Sequence, residues 1–298
     1  MREAKTTDLL LLLLLGLIWG SSFFNIKIAT YSYEPITLAL VRVIFASIPL
    51  FILCKYKQIK IEAFSQNWKP YATIGLCNIT IPFILIAIGT SKINSYLAAM
   101  LMSTTPLSGS LLAHFFTKDE KMSFLKSTGI LIGFLGVLII FFDKVLVNES
   151  NYIYVLITIL GSVFYSIGGI LTLKLKKKKN ENVTTSTTLW SVIFLVPLAF
   201  VLESPLDSNP TVQSTLSLLY LGVVATGVAW LIRFRILTIN GLVFQTQVAY
   251  LIPIFGIFFG YFLMDEIITW RVFISLVIIL LGIYIFKKNN KGLKKYEN

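Results

Sequence analysis

The sequence is dominated by ten apolar runs, at 9–29, 33–54, 71–91, 95–116, 124–142, 152–173, 184–202, 213–236, 243–264 and 268–286. A helix needs about 20 residues to cross the hydrocarbon layer, where each backbone polar group must find a partner inside the protein. Runs of this length predict an all-α integral membrane protein with ten transmembrane helices. A transmembrane barrel is excluded, because its strands are shorter and alternate in hydrophobicity. Composition agrees: 13% of the residues are charged, about half the share found in a soluble domain. The links TYSY, KINS, TING and DEII are short and predict antiparallel helix hairpins.

The net charge of +12 is distributed unevenly. With the N-terminus in the cytoplasm, 20 of the 26 lysines and arginines fall in cytoplasmic segments. That bias sets orientation in a membrane and predicts a multi-pass protein of the plasma (inner) membrane with both termini cytoplasmic. The basic residues then serve topology and do not point to nucleic acid. KLKKKKNEN, at 174–182, reads as a solvated cytoplasmic linker. Cys54 and Cys77 lie in or beside apolar runs, and His114 is the lone histidine. This set offers no disulfide framework and no metal-ligand spacing, and no cofactor is implied.

The two halves of the chain resemble each other. LMSTTPLSGSLLAHFFTKDE parallels VAYLIPIFGIFFGYFLMDE, with Pro106 matching Pro253 and Glu120 matching Glu266. Gly16 matches Gly161, Pro49 matches Pro197, Gly75 matches Gly222 and Gly136 matches Gly282. The reading is a five-helix unit at 1–146 and a second at 147–298. An odd number of crossings inverts the second unit relative to the first, and inverted repeats are a mark of secondary carriers. MREAK followed by a leucine run mimics a secretory signal. The pairing of the first run with the sixth instead predicts a retained helix.

With these residues in place, the chain resembles the drug/metabolite transporter superfamily, in its ten-helix EamA-like branch. Gly16, Trp19, Gly20, Lys27, Pro35, Arg42 and Ala46 follow the order and approximate spacing of that family's opening motif. The segment from Pro106 to Glu120, the GILIGFLGVLII after it, Pro253, Glu266 and the closing LLGIYIF also match. The likeness covers essentially the whole chain. It implies a substrate path between the halves and an alternating-access carrier of amino acids, other metabolites, sugar derivatives or drugs. The second half departs from the pattern, with Phe164 and Tyr165 in place of Trp19 and Gly20, and Trp190 in place of Arg42.

Polar groups in hydrocarbon are expensive and mark functional sites or structural pairs. Arg42 has two readings: a cavity cation for a carboxylate or phosphate, or a structural arginine held by helix-end carbonyls or by Glu34. Lys27 reads as a boundary residue that snorkels to the headgroups. Arg233 follows Trp230 by three residues, so both share a helix face and can clamp an acidic or zwitterionic ligand. Gln247 and Tyr250 share a face in the same way. Ser103 and Thr104 precede Pro106, which frees a helix carbonyl; these hydroxyls either satisfy it or line a cavity. Trp19, Asn78, Tyr165 and Trp190 are further candidate walls. Gly20, Lys27, Arg42, Pro106, Glu120, Pro253 and Glu266 are assigned to structure or gating. The glycines at 129 and 133 read as a packing face within the fold.

No carboxylate falls in the middle of a run. A buried acid is the usual proton relay or counterion for cationic drugs, so the charge pattern points to neutral, zwitterionic or anionic cargo. The expected function is facilitated or secondary active export or exchange of small metabolites, with amino acids first. Exporters of drugs, nucleotide-like or sugar-phosphate solutes are the alternatives, and a non-transporting receptor is a rival of another class. An intramembrane enzyme is disfavoured, since it needs a nucleophile with a base, or a metal, inside the bilayer. The expected partners are a small molecule and lipid, in a monomer or homodimer.

Overall fold

The computed structural model describes residues 5–116, 124–141, 151–175, 177–240 and 248–292. Among them the regular structure is helical, with no strand. The helices are α1 (Thr6–Ala29), α2 (Pro35–Tyr56), α3 (Lys69–Lys92), α4 (Ser95–Met102), α5 (Thr105–Phe116), α6 (Phe124–Phe141), α7 (Tyr152–Leu173), α8 (Asn180–Leu202), α9 (212–240), α10 (Val248–Met264) and α11 (Trp270–Gly292). Among the described residues six segments are long and apolar enough to cross a membrane: α1, α2, α3, most of α7, α8 and the stretch Val212–Arg233 of α9. Shorter apolar helices accompany them.

The burial pattern inverts that of a soluble protein. Along α1, Leu10, Leu13, Leu14 and Leu17 form an exposed stripe, while Leu12, Leu15 and Gly16 turn inward. In α8, Thr184 to Thr188 are all buried. Hydroxyls among them bond carbonyls of their own helix, as Thr187 does to Val183 at 2.8 Å and Thr188 to Thr184 at 3.0 Å. Apolar side chains facing outward and satisfied polar ones facing inward are what a lipid solvent demands.

Glycines permit the closest contacts. A Cβ on Gly20 would overlap the Cβ of Phe255, which seats α1 on α10. A Cβ on Gly282 would lie 2.6 Å from the Gly129 carbonyl, so the expected small-residue face of α6 packs within the chain, against α11. Further contacts join α2 to α8 and α9, α3 to α7 and α8, α5 to α7, α4 to α10 and α1 to α9.

Two helices widen into π turns, α3 at Leu76–Thr80 and α9 at Tyr220–Val228. The run 95–116 is interrupted: α4 stops at Met102 and α5 starts at Thr105. One other boundary differs from expectation. α8 begins at Asn180, inside the segment read as linker, because Glu181 pairs with Lys57 and Asn182 accepts the Glu62 N–H at 2.9 Å. These bonds hold the first turn in register.

Candidate functional site

Several charged groups at the helix ends are bound to backbone. Glu266 accepts from Ser95 N at 2.6 Å, Ser95 Oγ at 2.9 Å and Tyr96 N at 3.2 Å, which caps α4. Asp265 has a φ of 50°, a left-handed turn that aims Glu266 at that helix start. Glu203 caps α2 in the same way, through Ile36 N at 2.8 Å and Thr37 N at 2.7 Å. A carboxylate at a helix N-terminus meets unpaired N–H groups and the positive end of the helix dipole. Lys27 does the converse. Its Nζ donates to the carbonyls of Ser91 at 3.0 Å and Ile93 at 2.9 Å, at the C-terminus of α3. The lysine read as snorkelling to headgroups is therefore a helix cap within the protein.

The helix break at 103–104 consumes its own hydroxyls. Pro106 removes the N–H that would bond the Met102 carbonyl, and Thr105 Oγ1 takes its place at 2.6 Å. Ser103, fully buried, donates to Met100, and Thr104 donates to Leu101 at 2.7 Å. Thr104 Oγ1 also lies 3.1 Å from Ser162 Oγ, while Ser108 meets Ser166 at 2.8 Å. Of the two readings for Ser103 and Thr104, the geometry matches satisfaction of freed carbonyls and a polar seam with α7.

The densest intramembrane chemistry surrounds Arg42. This side chain is 7% exposed. Its Nε donates to Thr226 Oγ1 at 3.0 Å, and that hydroxyl in turn donates to the Leu221 carbonyl at 2.8 Å. The π turn of α9 places Thr226 within reach of the carbonyl five residues before it. It also presents the Ala225 carbonyl to Trp19 Nε1 at 3.2 Å, so Trp19 is anchored through its N–H. The Arg42 guanidinium lies 3.9 Å from the Phe83 ring centroid, and Phe83 packs on Tyr165 with centroids 6.2 Å apart. Glu34, one of the partners considered for Arg42, instead accepts from Ser204 N at 3.2 Å. Among the described residues no carboxylate pairs with Arg42.

Tyr165 also lies within electrostatic reach of Arg233. Arg233 sits 5.4 Å from the ring of Trp230, which is buried. Arg42, Phe83 and Tyr165, then Arg233 with Trp230, form a lane of neighbouring side chains inside the bundle. Desolvated guanidiniums are strong partners for carboxylate or phosphate and bind them in fork geometry. Asn78 lies in the π turn of α3 beside Gly168, and its amide has no hydrogen-bond partner among the described residues.

Trp190 lies elsewhere. It donates to the Ala63 carbonyl at 2.7 Å and stacks on Trp68 with centroids 4.8 Å apart, so it fastens the loop 57–68 to α8. That loop carries a second lock. Lys178 bonds Glu62 at 2.8 Å, Lys57 bonds Glu181 at 2.8 Å, and Tyr71 donates to Glu62 while accepting from Asn182 at 3.2 Å. The Lys178 ammonium, then the Tyr71 hydroxyl, hold the Glu62 carboxyl below its usual range.

Pro253 is inside α10, as expected. Glu120 and Gln247 lie outside the described residues, as does the Tyr250 side chain. Sequence reasoning missed Thr226, Phe83 and Glu203. Thr226 sits in GVVATGV, where two nearby glycines signalled close helix contact but not a guanidinium partner. Phe83 looked like any apolar core residue.

A helical bundle with hydroxyls inside, leucines outside and an interior cation that pairs with no carboxylate among the described residues belongs to the class of membrane transporters. The sequence model of the EamA-like transporter family matches residues 6–142 and again 152–287, and the chain belongs to that family. It is 22% identical over 271 residues to the uncharacterized transporter YoaV of Bacillus subtilis (strain 168), spanning 90% of this chain and 92% of that one. It is 24% identical over 287 residues to a probable amino-acid metabolite efflux pump of Escherichia coli (strain K12), spanning 93% and 94%. A crystal structure shares the fold, with a TM-score of 0.72 at 14% identity, over 95% of this chain and 98% of that one.

Proposed function

We propose that this transporter is an alternating-access carrier that exports or exchanges zwitterionic or anionic metabolites, amino acids first. The observation that carries this reading is Arg42: a buried guanidinium with one hydroxyl, one aromatic face and, among the described residues, no carboxylate. A structural arginine in hydrocarbon would be expected to keep a counterion of its own. A cargo carboxylate supplies one. The relative named as an amino-acid metabolite efflux pump is consistent with this choice.

The proposed architecture is two inverted five-helix repeats, 1–146 and 147–298. The double match of the family supports it, and so does packing. Under the repeat, α1 on α10 corresponds to α7 on α5, α3 on α7 to α9 on α1, and α2 on α9 to α8 on α3. The π turns of α3 and α9 also correspond. The proposed location is the plasma (inner) membrane with both termini cytoplasmic, supported by the lysines gathered at the end that carries loop 57–68.

Counterflow in proteoliposomes tests the reading. Vesicles loaded with unlabelled solute should accumulate the labelled form of an amino acid, saturably, from a panel of amino acids, nucleotides, sugar phosphates and cationic drugs. Nucleotide-like or sugar-phosphate cargo is the second reading, favoured by Arg233 as a second cation on the lane. Counterflow confined to those solutes would select it. Binding without accumulation would mean a receptor and sink both.

A further inference from the structure

We propose that Asn78 reads the side-chain end of the cargo, and that the preferred cargo is an amino acid ending in an uncharged hydrogen-bonding group, a carboxamide or hydroxyl. This rests on the amino-acid reading above, with the cargo carboxylate at Arg42. Both Nδ2 and Oδ1 of Asn78 are buried without a hydrogen-bond partner among the described residues, in a residue 1% exposed. Leaving a buried amide unpaired is costly, and packed interiors avoid it unless the group has work elsewhere. Thr80, in the same turn, also has a buried hydroxyl with no partner. Thr90 and Thr184 share that condition, but each is a single hydroxyl and neither lies in a π turn. Asn78 has two donor hydrogens and an acceptor idle together.

The position supports a cargo role. The π turn Leu76–Thr80 shifts the helix face that Asn78 presents, and such turns recur at functional sites. Across from it, α7 offers Gly168, where a Cβ would come within 2.6 Å of Asn78 Cα and 2.7 Å of its Cγ. At that contact, position 168 of the facing helix offers the amide no side chain. Gly168 is one turn along α7 from Tyr165, on the same face, so Asn78 continues the lane that Arg42 begins. In this conformation the amide is closed off, and it meets cargo when α3 and α7 part.

Distance sets which part of the cargo arrives there. Phe83, under the Arg42 guanidinium, is five residues from Asn78, about 7.5 Å along a helix at 1.5 Å per residue. An amino acid's carboxylate and ammonium share one carbon and are too close together to bridge that gap. The side-chain end of a glutamine-sized molecule reaches it. Among the described residues, the turn itself holds no charged group, which favours a neutral polar end.

The test uses the full chain in proteoliposomes and two near-isosteric pairs, L-glutamine with L-methionine and L-asparagine with L-leucine. Wild type should exchange the carboxamide member of a pair about tenfold faster or more, since a site built for a hydrogen bond rejects the analogue without it. Asn78→Leu, close in shape, should lose that preference, so that both members of a pair exchange alike. Its Tm in detergent should hold or rise, because the substitution removes two unmet polar groups. Asn78→Leu that keeps the preference, or that melts well below wild type, overturns the assignment. A wild type that exchanges all four equally does so too. A wild type that exchanges none of the four overturns this assignment, and the amino-acid reading falls with it when the solute that does counterflow is not an amino acid.

Discussion

Arg42 and Thr226, 184 residues apart in sequence, meet inside the bundle, with Nε–H donated to the threonine hydroxyl at 3.0 Å. The bond joins α2 to the π turn of α9. It also leaves the outer fork of the guanidinium free of carboxylate partners among the described residues. Arg42→Ala should lower the apparent affinity for an acidic or zwitterionic solute about tenfold to a hundredfold, the worth of a hydrogen bond to a charged group. Thr226 retains its bond to the Leu221 carbonyl, so folding should survive. Arg42→Lys should recover part of the loss, since it keeps the charge but not the fork. Concentration dependence of counterflow reads both variants.

Arg233 offers a graded comparison. It is stacked near Trp230 and reaches Tyr165 electrostatically. Arg233→Ala should weaken transport more than it weakens folding, because a cation beside an aromatic ring is worth about 0.5–2 kcal/mol. Detergent melts set against uptake rates separate the two effects. Unchanged uptake by correctly inserted protein would falsify a cargo role for this residue.

The helix runs, the glycine contacts and the absence of acids from the middle of the runs were readable from the sequence because they depend on local composition and period. The Arg42–Thr226 contact was not, since nothing local to either residue signals a partner so far along the chain. Lys27 illustrates a different limit. Its place at the end of α1 was legible, but whether an ammonium meets headgroups or the carbonyls of Ser91 and Ile93 depends on how α3 ends beside it. The place of Trp190 was hidden for the same reason. The loop 57–68 folds back to offer the Ala63 carbonyl, and loop paths carry no periodicity to read. Thr105, which rescues the carbonyl freed by Pro106, was legible in kind though not in residue.

Glycine replacement should separate contact from mere presence. Gly20→Val should abolish insertion or folding, because its Cβ would overlap Phe255, and the backbone of Ile252 and Gly256 lies just beyond. A Cβ on Gly169, in α7, would have nothing within 4 Å. Gly169→Ala should be neutral or slightly stabilising, since alanine is the better helix former by about 1 kcal/mol. Yield of monodisperse protein after membrane extraction is the readout.

Glu266 predicts a local stability effect without loss of the lane. Glu266→Ala removes three bonds to the start of α4 and should cost about 1–2 kcal/mol, the range for losing a helix N-cap. Glu266→Gln keeps an acceptor and should cost less. Both should lower the Tm while leaving the counterflow selectivity unchanged, because the residue is remote from Arg42 in the contacts it makes.

The lock on loop 57–68 should respond to acid. Glu62 has its pKa lowered from an ordinary 4.5 by Lys178 and Tyr71. A carboxyl whose folded pKa is depressed adds stability that is complete above its unfolded pKa and fades as pH falls through the folded value. Glu62→Gln should therefore melt below wild type at pH 7, and the two should converge as pH falls through the depressed folded pKa of Glu62. High salt should also narrow the gap, since Lys178 and Glu62 are partly exposed and screened. A gap that persists unchanged into acid would assign the stability to the Tyr71 and Asn182 bonds and not to the Glu62 charge.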